Sequence, residues 1–405
     1  MFEHQSSKYG NILFVFCGGG CKAIIQAVAA AELVNAGLTP THIVSSSAGT
    51  CNALAFVENP GVVGATKALR IWEEHITSPE AVYDVHPFLR EKLARLLGVV
   101  PQATHGWGPS GSITHDLRRA VKFLPLVMSF GLRMPFRMAG RTVSFIFRLM
   151  DTFASQHKSF RRLAQAPEIQ QAFDEMDRYF EFKRMKGFLD PFPLLSRLGD
   201  QFDLQKVLAS PIVLHILAER YEDGVTAVFS NKDSDLAMDG SEDARSRKAK
   251  YDLFFSRIRA SMALYPLFEM VELDGYRYLD ADLANPLPVE EAFSVGCDTI
   301  FMFLNVPSKS VRVEPYPLRD LVELNFRLRL NERYIHHRIK EAQVKAKERG
   351  VNLFVIRPDE IPPGLGLLEI DSKVIEFVKT YTRQRMTEYL SNLDAHNLRY
   401  TPPIL

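Results

Sequence analysis

"IVSSSAGTCNALAF", residues 43–56, sets three serines in a row before Ala-Gly. Upstream, "LTPTHIV" ends in a short apolar run suited to a buried strand, and downstream "TCNALAFV" is small and apolar and suits a packed helix. A serine between two such elements has the geometry of a nucleophile elbow, whose usual pattern is G-x-S-x-G. Here the pattern reads Ser45-Ser46-Ser47-Ala48-Gly49, with serine in place of the first glycine. Taken alone, a polar strand-to-helix turn explains the run equally well.

The preceding residues repeat the arrangement. "NILFVFC" (11–17) reads as a buried strand, "GGG" (18–20) interrupts it, and "CKAIIQAVAAAELVNAG" (21–37) reads as a helix ending at Gly37. Strand, loop, helix, strand, turn, helix is the start of a parallel α/β fold. Both candidate chemical loops then lie at carboxyl ends of strands, where open α/β sheets bind ligands. Further on, 211–221 and 225–231 read as strands, 232–250 as a solvated loop and 256–266 as helical. Residues 270–296 read as a hairpin, a loop and a helix, and 299–306 as another buried strand. An amphipathic helix over 319–350, a strand over 352–358 and a helix over 369–392 complete the pattern.

The bulk figures narrow the function. The 405 residues carry a net charge of +1, which gives no reason to expect a nucleic-acid partner. Four cysteines (Cys17, Cys21, Cys51, Cys297) are too few for a disulfide framework, and Cys17 and Cys21 lack the second pair a zinc site needs. Free thiols in a reducing compartment follow. "MFEHQSSKYGN" has no apolar signal region, and no run reaches the ~18 apolar residues of a spanning helix, so a cytoplasmic protein is expected. From Leu117 to Met150 there is no Asp or Glu, and seven Arg or Lys alternate with apolar runs. That composition suits an element lying on an anionic membrane, and equally a helical cap packed on the rest of the chain.

Acyl transfer needs a nucleophile, a base and donors for the developing oxyanion. "FCGGGCKA" (16–23) supplies candidate donors: the N–H groups of Gly19, Gly20 and Cys21 at a helix N-terminus. A phosphate-binding loop fits poorly, because neither G-x-x-x-x-G-K-[ST] nor G-x-G-x-x-G is matched, so a nucleotide-binding module rests on the glycines alone.

These residues resemble the patatin-like phospholipases. The family's marks are a G-G-G-x-[KR]-G oxyanion loop, a G-x-S-x-G elbow and a D-G-[GA] motif. They read here as Gly18-Gly19-Gly20-Cys21-Lys22-Ala23, Ser45-Ser46-Ser47-Ala48-Gly49 and Asp280-Ala281-Asp282. "NPLPVEEA" after the Asp, "FDLQKVLASPIVLHILAERYEDGVTAVFS" and "RASMALYPLF" follow family text in the same order, so the resemblance spans most of 11–95 and 186–390. It implies an α/β three-layer sandwich with a mostly parallel central sheet. The catalytic domain would comprise 1–96 and 187–405, interrupted by a helical cap insertion over 97–186.

The resemblance further implies a Ser-Asp dyad without histidine: Ser47 as nucleophile and Asp280 as its base, with Gly18, Gly19, Gly20, Cys21 and Lys22 forming the oxyanion loop. Asp282 is the competing acid. Lys22 is expected to anchor the loop, and Asn285 to hold the Asp loop by side-chain-to-backbone bonds. His42, His215, His336 and His337 offer no obvious third member. The implied activity is hydrolysis of glycerophospholipid or related acyl-lipid esters through an acyl-serine, without metal or cofactor. The implied location is cytoplasmic or peripheral at an anionic membrane through 117–150. Acyl transfer or thioester cleavage from an acyl thioester uses the same machinery, and a lipid-binding protein that retains the fold without turnover is the reading outside enzymology. Each motif has lost a glycine, at Ala23, Ser45 and Ala281. If the backbone needs positive φ at those positions, the site is distorted or strained.

Overall fold

The computed structural model describes residues 8–87, 187, 189–237, 242–265, 267–308, 332–362, 364–368, 370 and 372–393. The expected cap (97–186) and the acid-free basic stretch (117–150) lie outside the described residues.

Chain order gives β1 (Ile12–Phe16), a 3-10 turn (Gly20–Ala23), α1 (Ile24–Asn35), β2 (His42–Ser45), α2 (Ala48–Glu58) and α3 (Val62–Arg70). A four-residue α4 (Pro79–Val82) and the short pair β3 (Asp84–Val85) and β4 (Leu189–Asp190) follow. Next come α5 (Phe192–Gln201), α6 (Leu204–Ala209), β5 (Val213–Arg220), β6 (Val225–Ser230), α7 (Ala244–Ser261), β7 (Val271–Leu273) and β8 (Tyr276–Asp280). The remainder is α8 (Val289–Ser294), β9 (Thr299–Phe303), α9 (Glu332–Arg349), β10 (Asn352–Ile356) and α10 (Ser372–Leu390).

The main sheet runs β10-β9-β1-β2-β5, all parallel, with β6, β7 and β8 added antiparallel. All five residues of β1 and of β9 are buried, as central strands covered on both faces must be. One face carries Phe14, Phe16, Phe301, Phe303 and Phe354, packed against α1, α2 and α10. The other carries Leu13, Val15, Met302 and Val355 against α8 and α9. Helices on both sides of a mostly parallel sheet make the expected three-layer α/β sandwich.

Register explains how distant motifs meet. Along β5, β6 occupies one edge from His215 to Arg220. The opposite edge is shared: β2 pairs with the first half, Ser45 lying opposite Ile216, and β8 with the second, Asp280 opposite Ala218. The carboxyl ends of β2 and β8 therefore approach each other head-on, two β5 residues apart. This delivers Asp280 to the elbow that begins one residue after β2.

One expectation needs correction. Residues 244–250, expected in a solvated loop, form the first turns of α7. Asp243 caps the helix by accepting from the Ser246 N–H at 2.7 Å, and the following Ala, Arg and Lys residues are good helix formers. Their uniformly polar surface hides the apolar periodicity that would have marked a helix. Residues 332–349 are helical as expected, while 319–331 lie outside the described residues.

Candidate active site

Ser47 follows β2 and precedes α2 with φ 51° and ψ −135°. Among the described residues it is one of two non-glycines with positive φ, the other being Asp274 in the β7–β8 turn. A serine held there carries about 1–3 kcal/mol of backbone strain, which the surroundings must enforce. They do so through the Ser47 N–H, which donates to both the carbonyl and the hydroxyl of Ser261, at 3.1 Å each. The Ser46 N–H donates to Phe16 O at 3.1 Å, and a Cβ at Gly49 would fall 2.5 Å from that same carbonyl. Glycine at 49 is therefore required by the close seating of α2 on the end of β1.

None of the three motif positions that lack glycine takes positive φ: Ser45, Ala281 and Ala23 all lie outside that region, Ala23 at φ −63°. The elbow places its strain on Ser47 itself. Ser45 is fully buried, accepts from Thr50 Oγ1 at 3.2 Å and donates to the His215 carbonyl, so its hydroxyl is satisfied.

Asp280 ends β8 with no exposed surface. Its Oδ1 accepts from the Asp282 N–H at 3.0 Å, and its Oδ2 has no hydrogen-bond partner among the described residues. Burial pushes its pKa well above the usual carboxylate range, and the neighbouring Asp282 adds to the rise. The Ser47 hydroxyl beside it draws the value partly back without closing a well-formed hydrogen bond. Asp282 is turned elsewhere. Its Oδ1 accepts from Ser46 Oγ at 2.6 Å and from the Gly18 N–H at 3.1 Å, and burial raises its pKa to about 6 against the pull of these bonds and of Lys22.

The glycine loop is fitted to its neighbours. Gln26, buried in α1, donates through Nε2 to the carbonyls of Cys17 and Phe303, joining the ends of β1 and β9. Asn305 Nδ2 donates to Gly18 O at 3.0 Å. Gly19 and Gly20 have φ of 146° and 60°, and a Cβ at Gly20 would meet Leu367 O at 1.8 Å. The expected donor set changes in one member: the Cys21 N–H is used by Leu367 O at 3.0 Å. Those of Gly19 and Gly20 have no hydrogen-bond partner among the described residues.

A cavity opens beside Ser47. Gly19, Gly20, Cys21, Lys22, Ala48, Asp280 and Asp282 line its polar end, and Cys51, Trp72, Ile76, Val82, Leu194, Leu264 and Phe268 its apolar length. Burial pushes the Cys51 thiol up to about 12, so it stays protonated and offers no competing nucleophile. No histidine lines this cavity among the described residues. His42 begins β2 at the end away from Ser47 and stacks on His215 at 6.4 Å. His336 and His337 lie on α9. Asn285 departs from expectation: its side chain donates to Glu291 Oε1 at 3.0 Å, and the Asp loop is held instead by its backbone N–H on Ala281 O. Sequence reading missed Ser261, Gln26, Asn305 and Leu367, which act through folding and carry no local signal.

Among the described residues, no helix is long and apolar enough to cross a membrane, and no cluster of His, Cys, Asp and Glu is arranged to hold a metal ion. A family model described as patatin-like phospholipase matches residues 14–293. The solved structures include a similar one, VipD from Legionella pneumophila, with 11% identity and a TM-score of 0.33 over 96% of this chain and 67% of that chain. No curated protein matches.

Proposed function

From the premise that the chain belongs to the patatin-like phospholipase family of lipid hydrolases, we propose that it cleaves carboxylic esters of glycerophospholipids or related acyl lipids through an acyl-serine on Ser47, with Asp280 as the base. One observation carries this reading: a strained serine, φ 51°, stands beside a fully buried carboxylate whose Oδ2 has no other partner among the described residues.

In the first step Ser47 Oγ attacks the acyl carbonyl carbon while Asp280 Oδ2 takes the hydroxyl proton. An aspartate of ordinary pKa is a poor base for a serine, and the dry setting of Asp280 raises its proton affinity toward the need. The oxyanion faces the N–H groups of Gly19 and Gly20, joined by Ala48 at the start of α2. Lys22 and Cys21 support the loop, Cys21 through its bond to Leu367. Collapse of the tetrahedral intermediate breaks the ester C–O bond, and Asp280 returns its proton to the leaving alkoxide. A water then gives a proton to Asp280 and attacks the acyl carbonyl carbon; the bond to Ser47 Oγ breaks, Asp280 returns that proton to Oγ, and the fatty acid leaves with Ser47 restored. The apolar length of the cavity suits the acyl chain.

We extend the proposal to the cap (97–186) and to membrane contact through 117–150, both carried by sequence composition, and to a cytoplasmic or peripheral location. The test is fatty-acid release from a panel of phospholipids and acylglycerols, with Ser47→Ala beside the wild type. Release that disappears in the variant supports the reading, and equal release by both refutes it.

A further inference from the structure

We propose that Asp282 is a positioning residue of this site: its carboxylate ties the glycine loop to the elbow and supplies a negative charge beside Asp280. The inference rests on the reading of Ser47 and Asp280 as the reacting pair.

Three segments far apart in sequence meet at this one side chain. Asp282 Oδ1 accepts from the Gly18 N–H at 3.1 Å and from Ser46 Oγ at 2.6 Å, while its own N–H donates to Asp280 Oδ1 at 3.0 Å. Oxyanion loop, elbow and base thus share one anchor. Gly18 is shaped to admit it, since a Cβ at 18 would lie 1.8 Å from Asp282 Oδ2. Ser46 is buried with its hydroxyl given to Asp282, and the following residue, Ser47, is the one that lines the cavity.

The charges around Asp282 give the anchor an electrostatic part. Asp280 faces it from the same turn, Lys22 from the 3-10 turn after β1, and Cys17 from the end of β1. The Cys17 thiol, raised by burial and then by Asp282, stays neutral. Lys22 offsets the charge of Asp282 in part. After burial, repulsion from Asp282 is the next cause of the raised proton affinity of Asp280.

Two substitutions separate the roles. Asp282→Asn keeps an acceptor oxygen for Gly18 and Ser46 and removes the charge, whereas Asp282→Ala removes both. The readouts are the pH dependence of Ser47 labelling by a fluorophosphonate and the carboxyl titration of Asp280 followed by carbon-13 NMR. For Asp282→Asn we expect labelling to persist, with its acid limb and the Asp280 titration both moved to lower pH by at least about half a unit. For Asp282→Ala we expect labelling to fall on the order of 100-fold at every pH, as for a misplacement of about 1 Å. Unchanged pH dependence and an unchanged Asp280 titration in Asp282→Asn overturn the inference, whether or not Asp282→Ala folds. If wild-type Ser47 is not labelled at any pH, the hydrolase reading fails. The Asp280 titration then decides this inference alone: a downward move in Asp282→Asn supports it and no move refutes it.

Discussion

Replacing Gly18 by alanine should disable the site while leaving the fold intact. Gly18 does not have a positive φ, so alanine meets no backbone strain there. The added methyl would instead fall 1.8 Å from Asp282 Oδ2 and 2.6 Å from Ser47 Cβ. Ordinary contacts need about 3.5 Å, so the carboxylate must retreat by about 1.7 Å and the nucleophile by about 1 Å. Retreat breaks the bonds from Gly18 N–H and Ser46 Oγ, each worth about 1.5–3 kcal/mol as hydrogen bonds to a charged group. A nucleophile displaced by about 1 Å costs on the order of 100-fold in rate. The expected result is a loss of ester hydrolysis and of fluorophosphonate labelling of about 100-fold or more, with the circular-dichroism spectrum unchanged. Gly199→Ala is the matched control. Gly199 lies in α5 with no described atom within 4 Å of an added Cβ, so that variant should keep its activity and gain about 0.5–1 kcal/mol of stability. A Gly18→Ala protein within threefold of wild-type activity would refute the packing argument.

Other consequences follow from buried polar groups and from sequence. Burial lifts Glu219 to about 7, against the hydrogen bond from Thr226 Oγ1 at 3.1 Å. Its folded pKa lies above its unfolded one, so its contribution is fully present below pH ~4.5 and is lost as pH rises to 7. Glu219→Gln should therefore match wild type near pH 4 and exceed it by about 1–2 kcal/mol at pH 8, a figure discounted for partial solvent screening and read by urea unfolding at both values; a constant difference across pH would contradict this. Asn52, 1% exposed, accepts from Trp72 Nε1 and donates to Ala23 O, both at 2.8 Å. Asn52→Ala strands a buried indole N–H and should cost about 2–4 kcal/mol in thermal unfolding, while a loss under 0.5 kcal/mol would show the bonds to be dispensable. The basic, acid-free stretch 117–150 predicts flotation with anionic liposomes that fades at high salt; recovery indifferent to charge and salt would count against a membrane contact.

Much of this was legible in the residues, because close-packed elements write local patterns. The unbroken apolar runs of β1 and β9 announce strands covered on both faces, and a serine between a strand and a small-residue helix announces an elbow. The glycine substitutions were harder to read. From sequence, Ser45 and Ala281 are where strain is expected, yet the positive φ belongs to Ser47, two residues after Ser45, where the N–H is held by Ser261. Ser261, Asn305 and Leu367 hold the elbow and the loop from more than 200 residues away, and nothing local marks them for that part. Asp282 was visible as a second acid near Asp280. That it reaches Gly18 and Ser46 depends on β8 sharing an edge of β5 with β2, a matter of register alone.

The most direct test of the central claim is to treat the purified protein with a fluorophosphonate, beside Ser47→Ala and Asp280→Asn, and to locate the adduct by peptide mass spectrometry. An activated Ser47 displaces fluoride from phosphorus and keeps the phosphonyl group, so the wild type should carry a single adduct on Ser47. Both variants should carry none. A folded wild type that stays unlabelled, or an adduct on Ser47 that forms equally fast in Asp280→Asn, would contradict the dyad.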